Sequence, residues 1–477
     1  MPPGWTSARP EVHAKIMLDS PLFPMKHLHI PSLLDTLAAA GLLSRDHVGR
    51  GPGGRHIARQ ADTGCGAGAD VSSTDGGFRS VLYVTNWGIY GAGFLPSAIP
   101  VSEITHVQYA FADIKEDGSV VSSDEYADTQ KAFADSGGGG SSSGTKDAHG
   151  MVEQLYRLKQ ENRHLKVLLS VGGFKWSPKF APVAADATKR ATFVSTAVKL
   201  MGDWGMDGLD IDWEYPDTAA ANADSVKLLA DLRKGLDDYA AKNTASGSDG
   251  NYRFTLSFPA PAGPASYQAF DFKAMDASLD FWSVMAFDFA GNWDNTTGHQ
   301  ANVFPDPSQP LATKASIDRA VADYVAAGVS PAKINVGLPL YGRSFDKTAG
   351  LGMPYTPSTA GSFEGQAAIW LYRDLPRQGA TVLYDDVAKA SYTFDSSTGQ
   401  LITYDDDRSG QYKARYIREK GLGGVMFWEA SQDRNDSGSL VRSMTGWLEK
   451  LQCSQNLLSY PASQYENIRT NMGKGSA

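Results

Sequence analysis

From Ser80 onward, short apolar segments rich in β-branched and aromatic residues alternate with stretches of helical periodicity. This alternation limits the folds open to the chain more than any other feature. The segments are 81–87 (VLYVTNW), 104–114 (ITHVQYAFADI), 165–174 (LKVLLSVGGF), 207–213 (DGLDIDW), 253–259 (RFTLSFP), 279–289 (LDFWSVMAFDF), 333–342 (KINVGLPLYG) and 421–428 (GLGGVMFW). Helices are predicted between them, at 150–162, 188–204, 222–243, 313–327 and 438–450. Strands apolar on both faces and separated by helices indicate a parallel sheet covered on its outside. Eight repeats within about 370 residues fit an α/β fold closed into a (β/α)8 TIM barrel better than an open sheet. The excess between Gly342 and Arg408 carries alternating pieces such as TVLYDDV and LITYDDD. It predicts a small α+β insertion, about 345–404, after the seventh strand.

Residues 1–78, rich in Gly, Pro, Ala and polar residues, read as a disordered N-terminal extension. The barrel is expected over 79–452 and a C-terminal tail over 453–477. The apolar run from Leu33 to Leu43 is interrupted by Asp35 and lacks the layout of a signal peptide. The low-complexity segment 136–145 (SGGGGSSSGT) is expected to be a flexible loop. No stretch reaches about 18 uninterrupted apolar residues, so no membrane span is expected. The formal net charge of −9 argues against nucleic acid or an anionic membrane as partner. The two cysteines, Cys65 and Cys453, are too few for a disulfide framework or a zinc site. Outside the first 78 residues only His106, His149, His164 and His299 remain, with no H-E-x-x-H spacing and no G-x-S-x-G elsewhere. A zinc hydrolase and a serine triad are therefore disfavoured. No cofactor and no metal are expected.

Chemistry concentrates in 207–216 (DGLDIDWEYP), where Asp210, Asp212 and Glu214 alternate with Leu209, Ile211 and Trp213. In a strand, residues i, i+2 and i+4 share a face, so three carboxylates would line one side at steps of roughly 6.6 Å. Like charges this close cannot all ionise easily, and burial raises the pKa of the least solvated member. A carboxylic acid kept protonated near neutral pH can serve as a general acid. In a barrel the reacting groups sit at the C-terminal strand ends. There Glu214 would end strand four, Asp288 strand six and Trp428 strand eight, and Arg343 would follow strand seven.

These residues lie in a set of ordered motifs: TNWGIYG (85–91), SVGG (170–173), DGLDIDWEYP (207–216), MAFDFAGNW (285–293), GLPLYGRSF (337–345), GGVMFWEAS (423–431) and SQNLLSYPASQYENIRTNM (454–472). From about Phe78 to Met472 the chain resembles glycoside hydrolase family 18, in particular endochitinases of filamentous fungi. That family is a recognised exception to two-carboxylate catalysis. The resemblance implies retaining hydrolysis of β-1,4-linked N-acetylglucosamine polymers, assisted by the substrate itself. It implies that Glu214 protonates the glycosidic oxygen and later activates water. The acetamido carbonyl of the −1 sugar is the nucleophile, and forms a cyclic oxazolinium. Asp212 holds the acetamido N–H, and Asp210 shares a proton with Asp212. Trp428 would floor the −1 subsite with Tyr83, Phe111 and Trp87 nearby. Asp288 and Arg343 would bond sugar hydroxyls, and Gly172, Gly173, Tyr215, Met285 and Phe287 would complete the substrate-binding set. Trp204, Trp282 and Trp447 are expected in the core.

Three departures from the family pattern stand out. Phe287 replaces the tyrosine of M-x-Y-D, whose hydroxyl bonds the acetamido carbonyl, so turnover should be reduced but not abolished. Phe174 replaces the tryptophan of S-x-G-G-W, and 136–145 replaces a Trp-containing loop of close relatives. The resemblance further implies chitin and chito-oligosaccharides as partners, a monomer, and an extracellular location, with a cytoplasmic one as the alternative. Competing readings are a chitin-binding lectin of low activity on the same barrel, an endo-β-N-acetylglucosaminidase and, more distantly, a metal site on the three carboxylates. Two sequons, Asn295-Thr296-Thr297 and Asn435-Asp436-Ser437, matter only if the chain enters the secretory route.

Overall fold

The computed structural model describes residues 76–133, 146–244, 252–363 and 365–474. The expectations for most of the N-terminal extension and for the loop 136–145 fall outside the described residues.

Eight parallel strands form the barrel: β1 (Arg79–Thr85), β2 (His106–Ile114), β3 (Lys166–Gly172), β4 (Gly208–Asp212), β5 (Thr255–Pro261), β6 (Phe281–Met285), β7 (Ile334–Pro339) and β8 (Gly424–Trp428). Each pairs with its neighbour in chain order, and β1 pairs with both β2 and β8, which closes the sheet. Side chains alternate between two environments along every strand, as the pleat requires. Leu82, Val84, Val167, Leu169, Leu209, Ile211, Leu256 and Phe258 face outward into the main core beneath the helices. Val81, Tyr83, Leu168, Phe281 and Met426 face the lumen and form a smaller cluster there.

The covering helices begin where the sequence supplies a cap. Asp186 accepts the N–H groups of Thr188 and Lys189 ahead of the helix Ala187–Asp203, and Thr218 accepts Ala221 N–H ahead of Ala219–Asn243. The first helix buries Phe193, Ala197 and Met201, and the second Leu228, Leu232 and Leu236. Trp204 and Trp282 are core residues as expected, and Trp447 packs against the core from a half-buried position. Among the described residues no helix is long and apolar enough to cross a membrane.

The insertion departs from the α+β expectation. Its described residues form a six-stranded antiparallel sheet of Tyr341–Asp346, Thr356–Pro357, Ile369–Leu371, Thr381–Asp385, Ala390–Asp395 and Gln400–Thr403, with one short 3-10 turn at Tyr372–Asp374. It begins at Tyr341, immediately after β7, because the chain needs a single residue, Leu340, to pass from the barrel into the new sheet. The apolar/polar alternation of its strands carried no helical period, so the helical share of the expectation had no residues to rest on.

The tail is not a loose appendage. Phe78 bridges to Leu451 ahead of β1, and 456–471 then crosses the bottom of the barrel. Asn456 Nδ2 donates to the carbonyls of Lys159, Asn162 and Leu165 at 3.0, 3.1 and 2.7 Å. Leu457 N–H donates to Asp207 at 2.9 Å, and Asp207 also pairs with the buried Lys159 at 2.8 Å. Asn456→Ala should therefore leave buried carbonyls unpaired and cost about 2–3 kcal/mol. Urea unfolding should register the loss as a lower midpoint with unchanged slope; an unaltered midpoint would remove the tail from the barrel's support.

Candidate active site

Strand register builds the centre of the site. Ser170 on β3, Asp210 on β4 and Ser257 on β5 are direct neighbours across three strands. Their side chains therefore lie abreast in the lumen. Ser170 Oγ donates to Asp210 Oδ2 at 2.7 Å, Ser257 Oγ to Oδ1 at 2.6 Å, and Tyr83 Oη to Oδ2 at 2.8 Å. Gln108 donates to Ser257 Oγ at 3.1 Å, which leaves the serine proton for Asp210. Burial pushes the Asp210 carboxyl up to about 6, against the downward pull of the three hydroxyls. The hydrogen bonds on Asp210 thus come from hydroxyls, whereas the family resemblance implied a proton shared with Asp212.

Asp212, one pleat period further, is 3% exposed, and its Oδ1 is buried without a hydrogen-bond partner. Burial, then the charges of Glu214 and Asp210, hold its carboxyl well above the usual range. Glu214 is half-buried two residues past the strand end. Its N–H donates to Ser177 Oγ at 2.7 Å, and Ser177 Oγ donates to Gly173 O at 3.0 Å. Its carboxylate accepts the Tyr215 hydroxyl and the Phe174 backbone N–H, yet burial outweighs both, aided by the charge of Asp288, and pushes it up to about 7. On the outer face Trp213 stacks on Phe180 at 5.3 Å and 7°. Gly172 and Gly173 lie beside this segment in the left-handed region, φ +106° and +76°. A Cβ at Gly172 would sit 2.4 Å from the Asp212 carbonyl oxygen, and one at Gly173 would strike the Phe111 ring at 2.7 Å. The glycines thus let β3 and the Phe111 ring approach the carboxylate strand.

Aromatic rings line the same end. Trp428 stacks on Phe111 at 5.9 Å and 23° and meets Tyr83 at 5.2 Å. Phe111 also meets Trp87 at 6.0 Å and Trp176 at 6.4 Å. Tyr83 and Phe111 are buried, Trp428 and Met285 are half-buried, and Trp87 is 39% exposed. Tyr83 is thus a support for Asp210 and Trp428 rather than an open contact face.

Asp288 and Arg343, expected to bond sugar hydroxyls, are bonded to each other. Arg343 Nε and Nη2 donate to the two Asp288 oxygens at 2.6 and 2.7 Å, and Tyr341 Oη donates to Oδ1 at 2.5 Å. Burial opposes the Arg343 charge, but Asp288 and Tyr341 more than offset it, so its pKa rises. Asp288 adopts a left-handed backbone conformation, φ 61°, unusual for a residue with a Cβ. Trp293 lies 4.6 Å from the guanidinium. Phe287 is half-buried, meets Tyr341 at 6.3 Å, and rests where a side chain at Gly337 would clash with its ring.

All the sequence-derived residues therefore gather at one end of the barrel. Sequence reasoning missed Ser170, Ser257, Ser177, Trp176, Tyr341 and Trp293. Trp293 and Tyr341 stood inside motifs already singled out, and Trp176 follows SVGGF by two positions, close to the platform position that Phe174 vacates. Ser170 also stood in SVGG, but its bond to Asp210 and that of Ser257 follow only from strand register, and Ser177 lies in the 3-10 turn after β3. Among the described residues no group of three or more His, Cys, Asp or Glu side chains is arranged to hold a metal ion.

The model for glycosyl hydrolases family 18 matches residues 79–433. Chitinase 1 of Aphanocladium album is 45% identical over 404 residues, 85% of this chain and 93% of that protein. Endochitinase 1 of Metarhizium robertsii is 44% identical over 397 residues, covering 83% and 91%. Among solved structures, the catalytic domain of psychrophilic chitinase B from Arthrobacter TAD20 superposes with a TM-score of 0.70 at 30% identity, over 81% of this chain and 100% of that domain.

The Asp212 carboxyl titrates higher in the folded chain than in the unfolded one, so its ionisation opposes folding. Its contribution favours the folded state at low pH and is lost as pH rises through the raised folded-state value. Asp212→Asn should raise Tm at pH 8 by about 1–3 °C, with a smaller effect at pH 4. Calorimetry at the two pH values checks this; a Tm that falls at pH 8 would mean Asp212 is stabilised as an anion.

Proposed function

Since the chain belongs to glycosyl hydrolases family 18, we propose that it is an endochitinase, hydrolysing β-1,4 links between N-acetylglucosamine units with retention and with the substrate's acetamido group as nucleophile. The observation that carries this reading is the buried, unpartnered Asp212 Oδ1 next to Glu214, whose carboxyl is pushed up to about 7. A buried acceptor without a donor is costly, and an acetamido N–H would satisfy it. The acetamido carbonyl is thereby turned toward the anomeric carbon.

The steps follow from those two groups. Glu214 gives its proton to the glycosidic oxygen while the acetamido oxygen forms a bond to the anomeric carbon and the C–O bond to the leaving sugar breaks. Positive charge spreads over the oxazolinium and lowers the cost of ionising Asp212, which passes its proton to Asp210, and the carboxylate left behind balances the charge. Glu214, now a carboxylate, takes a proton from water as water opens the ring at the same carbon. Asp210, fixed by three hydroxyls, keeps a second carboxyl below Asp212 and so sets how many protons the group holds. Trp428, standing on Phe111 and Tyr83, offers an apolar face to a pyranose. The Asp288–Arg343–Tyr341 assembly presents a fixed polar wall.

We read residues 79–452 as the catalytic unit, with the tail as its lower brace. The enzyme is a monomer acting outside the cell, where an insoluble polymer is reachable. A lectin reading gains support only from Phe287, and Glu214 with both aspartates weighs against it.

Wild-type chain should release chito-oligosaccharides from colloidal chitin and leave cello-oligosaccharides intact. Glu214→Gln should fold and lose at least about a hundredfold in turnover. Because the acid form of Glu214 is the active one, kcat/KM should fall as pH rises through about 7. Turnover of Glu214→Gln within tenfold of wild type would refute the acid role.

Phe287 carries a separate expectation. Phe287→Tyr adds a hydroxyl to a half-buried ring and gives the acetamido oxygen a donor that strengthens as charge develops. Turnover should rise by roughly tenfold, from about 1.5 kcal/mol of transition-state stabilisation, with a smaller change in KM. A clear loss in steady-state kinetics would place Phe287 outside the subsite.

A further inference from the structure

The catalytic site leaves the sequon Asn295-Thr296-Thr297 unexplained. It lies two residues beyond Trp293, in the loop that follows β6. Its flanks are tied down on both sides. Thr297 N–H donates to Met353 O at 2.9 Å and its hydroxyl to Gly350 O at 2.7 Å. Lys314 Nζ donates to Thr296 O at 2.8 Å and pairs with Asp294 at 3.2 Å, and the Thr296 hydroxyl reaches Leu311 O at 3.4 Å. Asn295 stands between these ties, exposed, and its amide makes no hydrogen bond among the described residues.

The two segments that hold the loop also carry exposed apolar side chains. Leu311 is 57% and Met353 44% exposed. The two segments run side by side, since a Cβ at Gly352, the residue before Met353, would lie 3.7 Å from Leu311 Cβ. Hydrogen bonds from Thr296 and Thr297 to the backbone of these two segments place the exposed Asn295 on the same surface as both apolar side chains.

We propose that Asn295 is an N-glycosylation site and that the first sugars of its glycan lie over the Leu311–Met353 step. The proposal rests on the extracellular reading, because the donor is a lipid-diphosphate-linked oligosaccharide of the secretory route. In the transfer, Asn295 Nδ2 bonds to the anomeric carbon and loses a proton. The bond from that carbon to the phosphate oxygen breaks, and the lipid diphosphate leaves with the electron pair. The Thr297 hydroxyl is buried and bonded in the folded chain, so transfer precedes closure of this loop.

The test is expression of the full chain behind a secretion leader in a eukaryotic host, with Asn295→Gln and Asn435→Gln as variants. Peptide mass spectrometry after enzymatic deglycosylation, which leaves aspartate at a modified asparagine, should find Asn295 occupied. Asn295→Gln should keep wild-type activity on soluble chito-oligosaccharides and aggregate more readily, and adding Leu311→Gln should restore solubility. An unmodified Asn295 in the secreted, active chain would overturn the proposal. Retention inside its own cells, with the leader-fused chain fully glycosylated, would overturn the extracellular reading instead.

Discussion

Three carboxylates gathered on one strand and its end, two of them buried in the barrel lumen, cannot readily all be charged, and the rest of the molecule is arranged around that constraint. Burial is the largest influence on Asp210, Asp212 and Glu214 alike, and it raises each. What distinguishes them is the supply of donors. Asp210 has three hydroxyls, Glu214 has one hydroxyl and one backbone N–H, and the Asp212 Oδ1 has none. The unsatisfied group is thus the middle one, Asp212, set between two better-supplied carboxyls. A barrel is suited to maintaining this arrangement, because each strand contributes one inward group per pleat and the neighbours are fixed by register.

The same logic explains why so much of the structure beneath the site is polar yet rigid. Lys159 is buried against Asp207, directly below β4, and the tail closes over both. Burial pulls the Lys159 ammonium down to about 8, with Asp207 opposing. Buried pairs of this kind contribute little net stability but tolerate few alternative arrangements. Here the pair sits at the base of the strand whose far end carries the carboxylates, so the placement of β4 is defined from below as well as from its sides.

Much of this was legible in the residues. Alternating apolar segments and helices led to the barrel, and DGLDIDWEYP led to the carboxylates, because both patterns follow directly from backbone periodicity. Strand ends shifted by about two residues, as for 81–87 against Arg79–Thr85, since apolar residues continue into the turns. The family resemblance, not periodicity, supplied the roles of Phe287, Arg343 and Trp428. Partnerships were the least legible. Nothing in one dimension reveals that Ser170 and Ser257 flank Asp210, or that Asp288 is already occupied by Arg343 and Tyr341, because such contacts depend on register and on loop paths. The insertion's class was misjudged for a related reason: its strands are short, and alternation over so few residues does not exclude a helix between them.

The strand Tyr341–Asp346 belongs at once to the insertion sheet and to the site, since Tyr341 and Arg343 both reach Asp288. The insertion and the polar wall of the site are therefore built on one strand. The carboxylate this strand holds in place, Asp288, in turn contributes to the charge felt by Glu214. Wall and proton donor thus share a residue: the carboxylate that anchors the insertion's first strand is one of the charges that raise Glu214.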